Sequence, residues 1–298
     1  MRKAAHALRL PAPTSEQVGV VKELRRYPVK SMLGEVLDTA RMTARGVEGD
    51  RAYGLFDPQT KKVVSVKRPA RWGRLFDFTA RTEPDGVWIR FPNGSRLHID
   101  DPQLPATLSE FFERPVRVVS VPIEGKAMFD ETWEGELKAY AKPPPGMPIR
   151  EEDGAETVDG GGSYGVPGGL FNFGAVHFVT SGAVRALSAA RPESRFDPHR
   201  FRPNVVIDTQ IDGFVETAWQ ERTLMIGDVR FKTQFTVPRC VMTIQAQGDL
   251  PADRHVLRTI TQLNRVELLG EKYPCLGIYA EPVGDGGTVR VGDPVVVD

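Results

Sequence analysis

Apolar and polar positions alternate along this chain in short runs, set apart by turn residues, and a helical period is seldom sustained. A period of two marks strands with one face buried. Such runs begin within 18–29 and recur at 36–42, 52–57, 62–66, 75–81, 87–91, 96–99 and 116–121. Asp57-Pro58, Pro84-Asp85-Gly86 and Asn93-Gly94 fall between them as turns, and Asn-Gly between alternating runs predicts a hairpin. One short helix is predicted over 107–112. In the second half, 175–179, 204–207, 224–226, 229–232, 242–245, 266–269, 276–280 and 288–291 read as strands. Thr180-Ser181 is an N-cap signal for a helix with Ala183, Val184, Leu187 and Ala190 on one face, ending at Pro192. A further helix is predicted over 251–263, with Val256, Leu257 and Ile260 inward. Two Gly-Asp turns, in MIGDVRF (225–231) and RVGDPVVV (290–297), each join one β run to the next.

Between the halves the pattern lapses. AKPPPGMPIR leads into EEDGAETVDGGGSYGVPGG, a Pro- and Gly-rich stretch over 141–169 that can bury little apolar surface and predicts a connector or mobile loop. The organisation expected is a loose tail over 1–17, a β-barrel-like domain over 18–125, a connector over 126–169 and a second domain over 170–298. The fold class is mostly β with a few helices, arranged as two β-barrel-like lobes.

Charge narrows the function. Lys+Arg and Asp+Glu both total 39, which excludes a general attraction to nucleic acid or anionic membrane. Any anion site must be a local cluster of bases. No apolar run approaches the ~18 residues that span a bilayer. The opening, MRKAAHALRLPAPTSEQ, is basic but too broken for a secretory signal, and reads as a tail, with a transit peptide as the alternative. The two cysteines, Cys240 and Cys275, form no C-x-x-C pair, so a reduced cytoplasmic setting is expected, without a zinc knuckle, iron–sulfur cluster or dithiol of the chain's own. His6, His98, His177, His199 and His255 lack metal-ligand spacing, and no nucleotide loop or nucleophile elbow occurs. The acidic run 130–136 reads as a solvated loop, with a metal site as the alternative.

Two groups of residues have the right chemistry for a site. Cys240 lies in TVPRCVM, where Pro238 interrupts the strand pattern and Arg239 is adjacent. A neighbouring guanidinium favours the thiolate that a soft metal or a nucleophile requires. An inert buried cysteine is the other reading, and Cys275, in KYPCLGI, is read that way. The second group is basic: Lys30-Ser31 after Tyr27-Pro28, Arg51 after Gly46-Val47-Glu48-Gly49-Asp50, and Arg202 with Asn204 in HRFRPNVV. Arg forks, Lys charge, hydroxyls and backbone N–H groups at Gly turns bind phosphate. Solvated surface charge is the alternative for each base taken singly.

Six segments in this order, YPVKS, GDRAYGLFD, FRPNVV, IGDVRF, PRCVMT and RVGDPVVV, resemble the MOSC proteins that carry an N-terminal MOSC β-barrel domain. This is the family of the mitochondrial amidoxime-reducing components and their bacterial relatives, and the resemblance covers 18–298. It implies an MOSC N-terminal domain followed by an MOSC domain. It also implies a molybdenum cofactor (Mo-molybdopterin), with Cys240 as catalytic metal ligand. Lys30, Ser31, Arg51, Arg202, Asn204, Pro238 and Arg239 become cofactor contacts, joined by Phe173 and Gly174 through backbone groups. Where the family commonly has Asp, this chain has Asn172. The activity implied is reduction of N-hydroxylated or N-oxide substrates by oxygen-atom transfer, with S-oxides as a further substrate type. Because the chain has no flavin, haem or iron–sulfur motif, a separate electron-donor protein is implied. The alternatives are a cofactor carrier or sulfur-transfer protein, and a cofactor-free interaction barrel.

Overall fold

The computed structural model describes residues 16–121, 149–152, 155–158, 170–171, 174–268 and 270–298. The expectations for 1–15, for the acidic run 130–136, and for Asn172 and Phe173 concern residues outside that set.

Seven strands form a closed barrel: β1 (Glu16–Arg26), β2 (Val176–Thr180), β3 (Val205–Asp208), β4 (Thr223–Ile226), β5 (Val229–Pro238), β6 (Glu271–Pro282) and β7 (Pro294–Val297). They are hydrogen-bonded in the order β2-β3-β1-β7-β4-β5-β6, and β6 returns to β2. The β2–β3 pair is parallel. Its crossover carries a helix, as a parallel pair requires. Inward-facing Leu24, Phe178, Ile207, Phe231, Ile278 and Val295 are among the residues that fill the barrel. Among the described residues there are four helices, α1 (Pro69–Trp72), α2 (Leu104–Phe111), α3 (Ser181–Ala190) and α4 (His255–Leu263). Thr180 caps α3 as its sequence predicts, its hydroxyl accepting the Ala183 N–H at 3.2 Å. Helices α3 and α4 cover one outer face of the barrel through a separate core that includes Val179, Leu187, Phe201, Val256 and Ile260.

The first lobe packs small sheets around its own core. Tyr53–Asp57 pairs with Arg117–Ser120 and Lys62–Val63, and Thr79–Glu83, Gly86–Arg90 and Arg96–His98 form a meander. Trp72, Phe76, Phe78, Ile89, Leu104 and Leu108 are buried together there. The lobes are interlaced at two places. Strand β1 comes from the N-terminal part of the chain yet sits between β3 and β7, and Thr39–Thr43 pairs with the C-terminal Gly287–Arg290. Within the Pro- and Gly-rich stretch, Ile149–Glu152 and Ala155–Val158 pair as a hairpin.

Several segments depart from the pattern read in the sequence, four of them in ways that bear on the packing. Residues 62–66 pair only at Lys62–Val63. Residues 75–81 divide into a 3-10 turn, Gly73–Asp77, and the strand Thr79–Glu83. The reason is that Leu75, Phe76 and Phe78 are all buried, with Phe78 edge-on to Phe91 and Phe111. Residues 242–245 are no strand either: Val241–Ile244 is a 3-10 turn whose first carbonyl, that of Cys240, accepts the Thr243 N–H at 3.1 Å and its hydroxyl at 3.0 Å. Helix α4 starts at His255 instead of 251, where the Asp253 carboxylate accepts the His255 N–H at 2.8 Å.

Candidate functional site

Where the end of β1 and the first-lobe loops meet one end of the barrel, a small cavity of about 60 Å³ opens to the surface. Lys30, Ser31 and Arg51 line it from the first lobe, and Gly174, Arg202, Asn204 and Arg239 from the second. Seven of the expected site residues, from segments spread over most of the chain, are thus brought to one wall-to-wall site. Pro238 ends β5, opposite Cys275 on β6, and holds the chain on course toward Arg239 without itself lining the cavity. Cys240 does not itself line the cavity, although its neighbours Arg239 and Met242 do; the residue is partly exposed. Cys275 is buried, and burial raises its thiol, in keeping with its reading as core filler.

Backbone strain gathers at this cavity. Of the six non-glycine residues with left-handed φ among the described residues, Ser31 (69°), Arg51 (48°) and Arg202 (54°) line it. Strained residues persist where the surroundings determine them, and they concentrate at functional sites. Here the surroundings are visible. The Arg51 N–H donates to the Tyr27 carbonyl at 2.8 Å, and the Arg202 N–H donates to that of His199 at 3.1 Å. Asp50 is the organising carboxylate. It accepts the Tyr27 N–H at 2.7 Å, the Asn204 amide at 3.0 Å and the Arg51 guanidinium. Asn204 in turn accepts the His177 N–H at 3.2 Å and donates to the Arg25 carbonyl at 3.3 Å, tying β1 to β2.

The four cations are not equivalent. Lys30 Nζ donates to the Leu170 carbonyl at 2.9 Å. Arg51 is neutralised by Asp50 and lies over the Tyr27 ring at 4.7 Å. Arg239 donates from Nε to the Leu276 carbonyl at 2.9 Å, from Nη1 to that of Phe201 at 3.2 Å, and from Nη2 to both Leu276 and His177 Nε2. Most of its N–H groups are therefore spent on protein. Arg202 spends one N–H on the Met32 carbonyl at 2.6 Å, while its plane lies 4.2 Å over Tyr27; among the described residues the rest of its fork has no partner. Burial lowers both Arg202 and Arg239 to about 10, so both remain charged at neutral pH. Buried cations outnumbering buried carboxylates are costly unless an anion joins them. The donor set is that of an anion site, with Arg202 as its open fork.

His177 and Tyr279 also line the cavity, and the sequence reading gave neither a role. His177 is 4% exposed, and burial together with the Arg239 charge holds its imidazole well below 6.5. Its signal in the sequence is a lone imidazole among apolar neighbours in AVHFVT, without the spacing of a metal ligand pair. Tyr279 has its phenol raised by burial and lies 5.5 Å from the His177 ring. A Cβ on Gly174 would meet Tyr279 Cβ at 2.5 Å, which gives a physical reason for glycine there. Ser31 is buried, its hydroxyl accepting the Val66 N–H at 3.3 Å and keeping its own proton for donation. Among the described residues no cluster of three His, Cys, Asp or Glu side chains could hold a metal ion. A metal here would take a protein thiolate and otherwise the donors of an organic cofactor. Four cations, a hydroxyl and a partly exposed cysteine fit such an anionic sulfur-bearing group.

Two family models match the chain in sequence order. The MOSC N-terminal beta barrel domain matches residues 18–135, and the MOSC domain matches 169–296. The chain is 28% identical over 297 residues to mitochondrial amidoxime reducing component 2 of Bos taurus, covering 94% of this chain and 83% of that protein. To mitochondrial amidoxime reducing component 2 of Rattus norvegicus it is 30% identical over 294 residues, covering 94% and 83%. The crystal structure of the YUAD protein from Bacillus subtilis covers 95% of this chain and 97% of its own, at 9% identity and a TM-score of 0.43. Among the described residues no helix is long and apolar enough to cross a membrane. With both domains matched in order and relatives aligned over nearly the whole length, the chain belongs to the MOSC family, in the group that carries an N-terminal MOSC β-barrel domain.

Proposed function

We propose that this chain is a molybdenum-cofactor-dependent oxidoreductase that reduces N-hydroxylated or N-oxide substrates. The observation that carries this reading is the convergence of Lys30, Arg51, Arg202 and Arg239 on one cavity beside a partly exposed cysteine. The names of its relatives, amidoxime reducing components, point to the same substrate class.

Arg202 would take the cofactor's phosphate with its open fork, assisted by the Lys30 charge and the Ser31 hydroxyl. Arg51, held by Asp50, would shape the wall and supply field, and Asn204 would keep that wall in register. Arg239, its donors mostly spent, would supply a fixed positive charge next to Cys240. Cys240 would be the protein's ligand to molybdenum. When bound, the cofactor would supply oxygen-atom transfer: two electrons and two protons convert an N-hydroxyl group to N–H and water, or an N-oxide to the free amine and water. The electrons come from a separate donor protein. Tyr279, whose buried phenol keeps its proton, can hold a proton at the cavity. A reduced cytoplasmic setting belongs to this reading, with both cysteines free.

The test is turnover of a hydroxylamine by purified protein with a chemical reductant. Cys240→Ser should keep the fold and most of the bound pterin while turnover falls by more than the ~10–100-fold typical of losing an outer-shell partner of a metal ligand. Wild-type rates in Cys240→Ser would remove the assignment. Bound pterin without turnover in the wild type would favour a carrier instead.

A further inference from the structure

The residue that reaches furthest beyond this reading is His177. On β2, Val176 and Phe178 point into the barrel core, and Val179 points to the outer core under α3 and α4. Strand alternation therefore sends His177 outward with Val179. There it meets segments from two distant parts of the chain. Its Nδ1 lies 3.3 Å from the Arg202 carbonyl, and its Nε2 lies 2.6 Å from Arg239 Nη2. The carbonyl only accepts and the guanidinium only donates. Both ring nitrogens are thus assigned by their partners: Nδ1 carries the hydrogen and donates to Arg202, and Nε2 accepts from Arg239.

We propose that His177 is a positioning residue for the cofactor site, a neutral imidazole that fixes the Arg239 guanidinium beside Cys240 and holds the strained backbone of Arg202. Lysine or protonated histidine would repel Arg239, and an aliphatic side chain would leave an Nη2–H without an acceptor. The neighbourhood is shaped for the ring. Gly277 has φ +80°, and a Cβ there would meet His177 Nε2 at 2.5 Å and the Phe178 carbonyl at 2.4 Å. On its other side, the Gly277 N–H donates to buried Glu216 at 3.0 Å, so the bare glycine is held from behind. Ring placement, tautomer and guanidinium direction are therefore set together.

This inference rests on the proposed cofactor for its consequence, but not for its geometry, and the experiment separates the two. Three versions of the full-length protein are compared: wild type, His177→Leu and His177→Gln. Gln restores an acceptor toward Arg239; Leu does not. Pterin retained after prolonged dialysis, and the Mo(V) electron-spin spectrum after partial reduction, are measured for each. The expected result is a tenfold or greater loss of pterin retention and a broadened Mo(V) signal in His177→Leu, with most of both recovered in His177→Gln. Equal retention and an unchanged signal in both variants would overturn the proposal, since a packing role alone does not move the Mo(V) signal. Where His177→Leu fails to fold, His177→Gln and the imidazole nitrogen NMR of the wild type decide. NMR should find His177 as the Nδ1–H tautomer at pH 7; an Nε2–H tautomer or an imidazolium would overturn it. If the wild type carries no pterin, the proposed function fails while the NMR result still judges the His177–Arg239 contact.

Discussion

At the scale of single residues, the site works by leaving some groups open and closing others. Arg239 and His177 are closed on each other and on carbonyls, whereas Arg202 keeps its fork open toward the cavity. This difference has a consequence for pH. The His177 imidazole is pushed well below its ordinary 6.5 by burial, by Arg239 from the end of β5 and by Arg51 from the first lobe; Tyr279 faces it from β6. In the unfolded chain the same histidine takes up a proton near pH ~6.5. Below that pH the unfolded state binds a proton that the folded state does not, so folding stability falls as pH falls. The loss should reach about 1.4 kcal/mol per pH unit for this group. Urea unfolding at pH 7.5, 6.5 and 5.5 checks it by comparing wild type with His177→Gln. The wild type should lose stability more steeply below pH 6.5, and parallel curves would contradict the assignment. His199 is also lowered, by burial first and then by Arg25, and the subtraction of two curves cancels its share.

At the scale of elements, β1 does two jobs. It is a stave of the barrel, paired to β3 on one side and β7 on the other, and its end leads into the loop that delivers Lys30 and Ser31 to the cavity. Leu24 is fully buried at the point where β1 faces both Val205 and Leu37. Truncation there leaves a cavity in the barrel core. Leu24→Ala should destabilise the protein by about 2–5 kcal/mol. Because the stave joins the lobes, hydrogen exchange should show both cores losing protection in one transition; a first lobe that stays protected while the barrel opens would contradict this. The turn Val241–Ile244 shows why some elements escaped the sequence. Its residues, VMTI, carry β-branched side chains at strand-like spacing, yet the Thr243 cap on the Cys240 carbonyl closes a 3-10 turn, and Met242 and Ile244 pack against two different cores. Apolar character was legible there; the partner cores that chose the period were not. The bulges in β5 near Thr236 likewise break the alternation that stopped the expected strand at 232.

At the scale of the whole molecule, the cavity is a product of folding more than of any segment. Lys30, Arg51, Arg202 and Arg239 were legible because each sits in a short basic segment next to a turn, and their order along the chain matched a known arrangement. Cys240 stood out as a cysteine beside an arginine. Nothing local marks Tyr279, and the lone polar position of His177 in an apolar strand assigns it no role; only the β2–β6 pairing sets His177 opposite Tyr279. The left-handed backbones of Ser31, Arg51 and Arg202 were hidden for the same reason, being imposed by contacts from distant segments. The mostly β class followed from period-two runs, while the seat of β1 between β3 and β7 depends on pairing that no local pattern encodes.

The central claim is that Cys240 completes the coordination of a molybdenum ion whose organic cofactor is gripped by the cationic cavity. X-ray absorption at the molybdenum edge tests it most directly, on protein purified from a host that makes the cofactor. Wild type should show molybdenum bound to sulfur, and Cys240→Ser should show one sulfur fewer around the metal with the cofactor still present. An identical sulfur shell in both proteins would contradict the account.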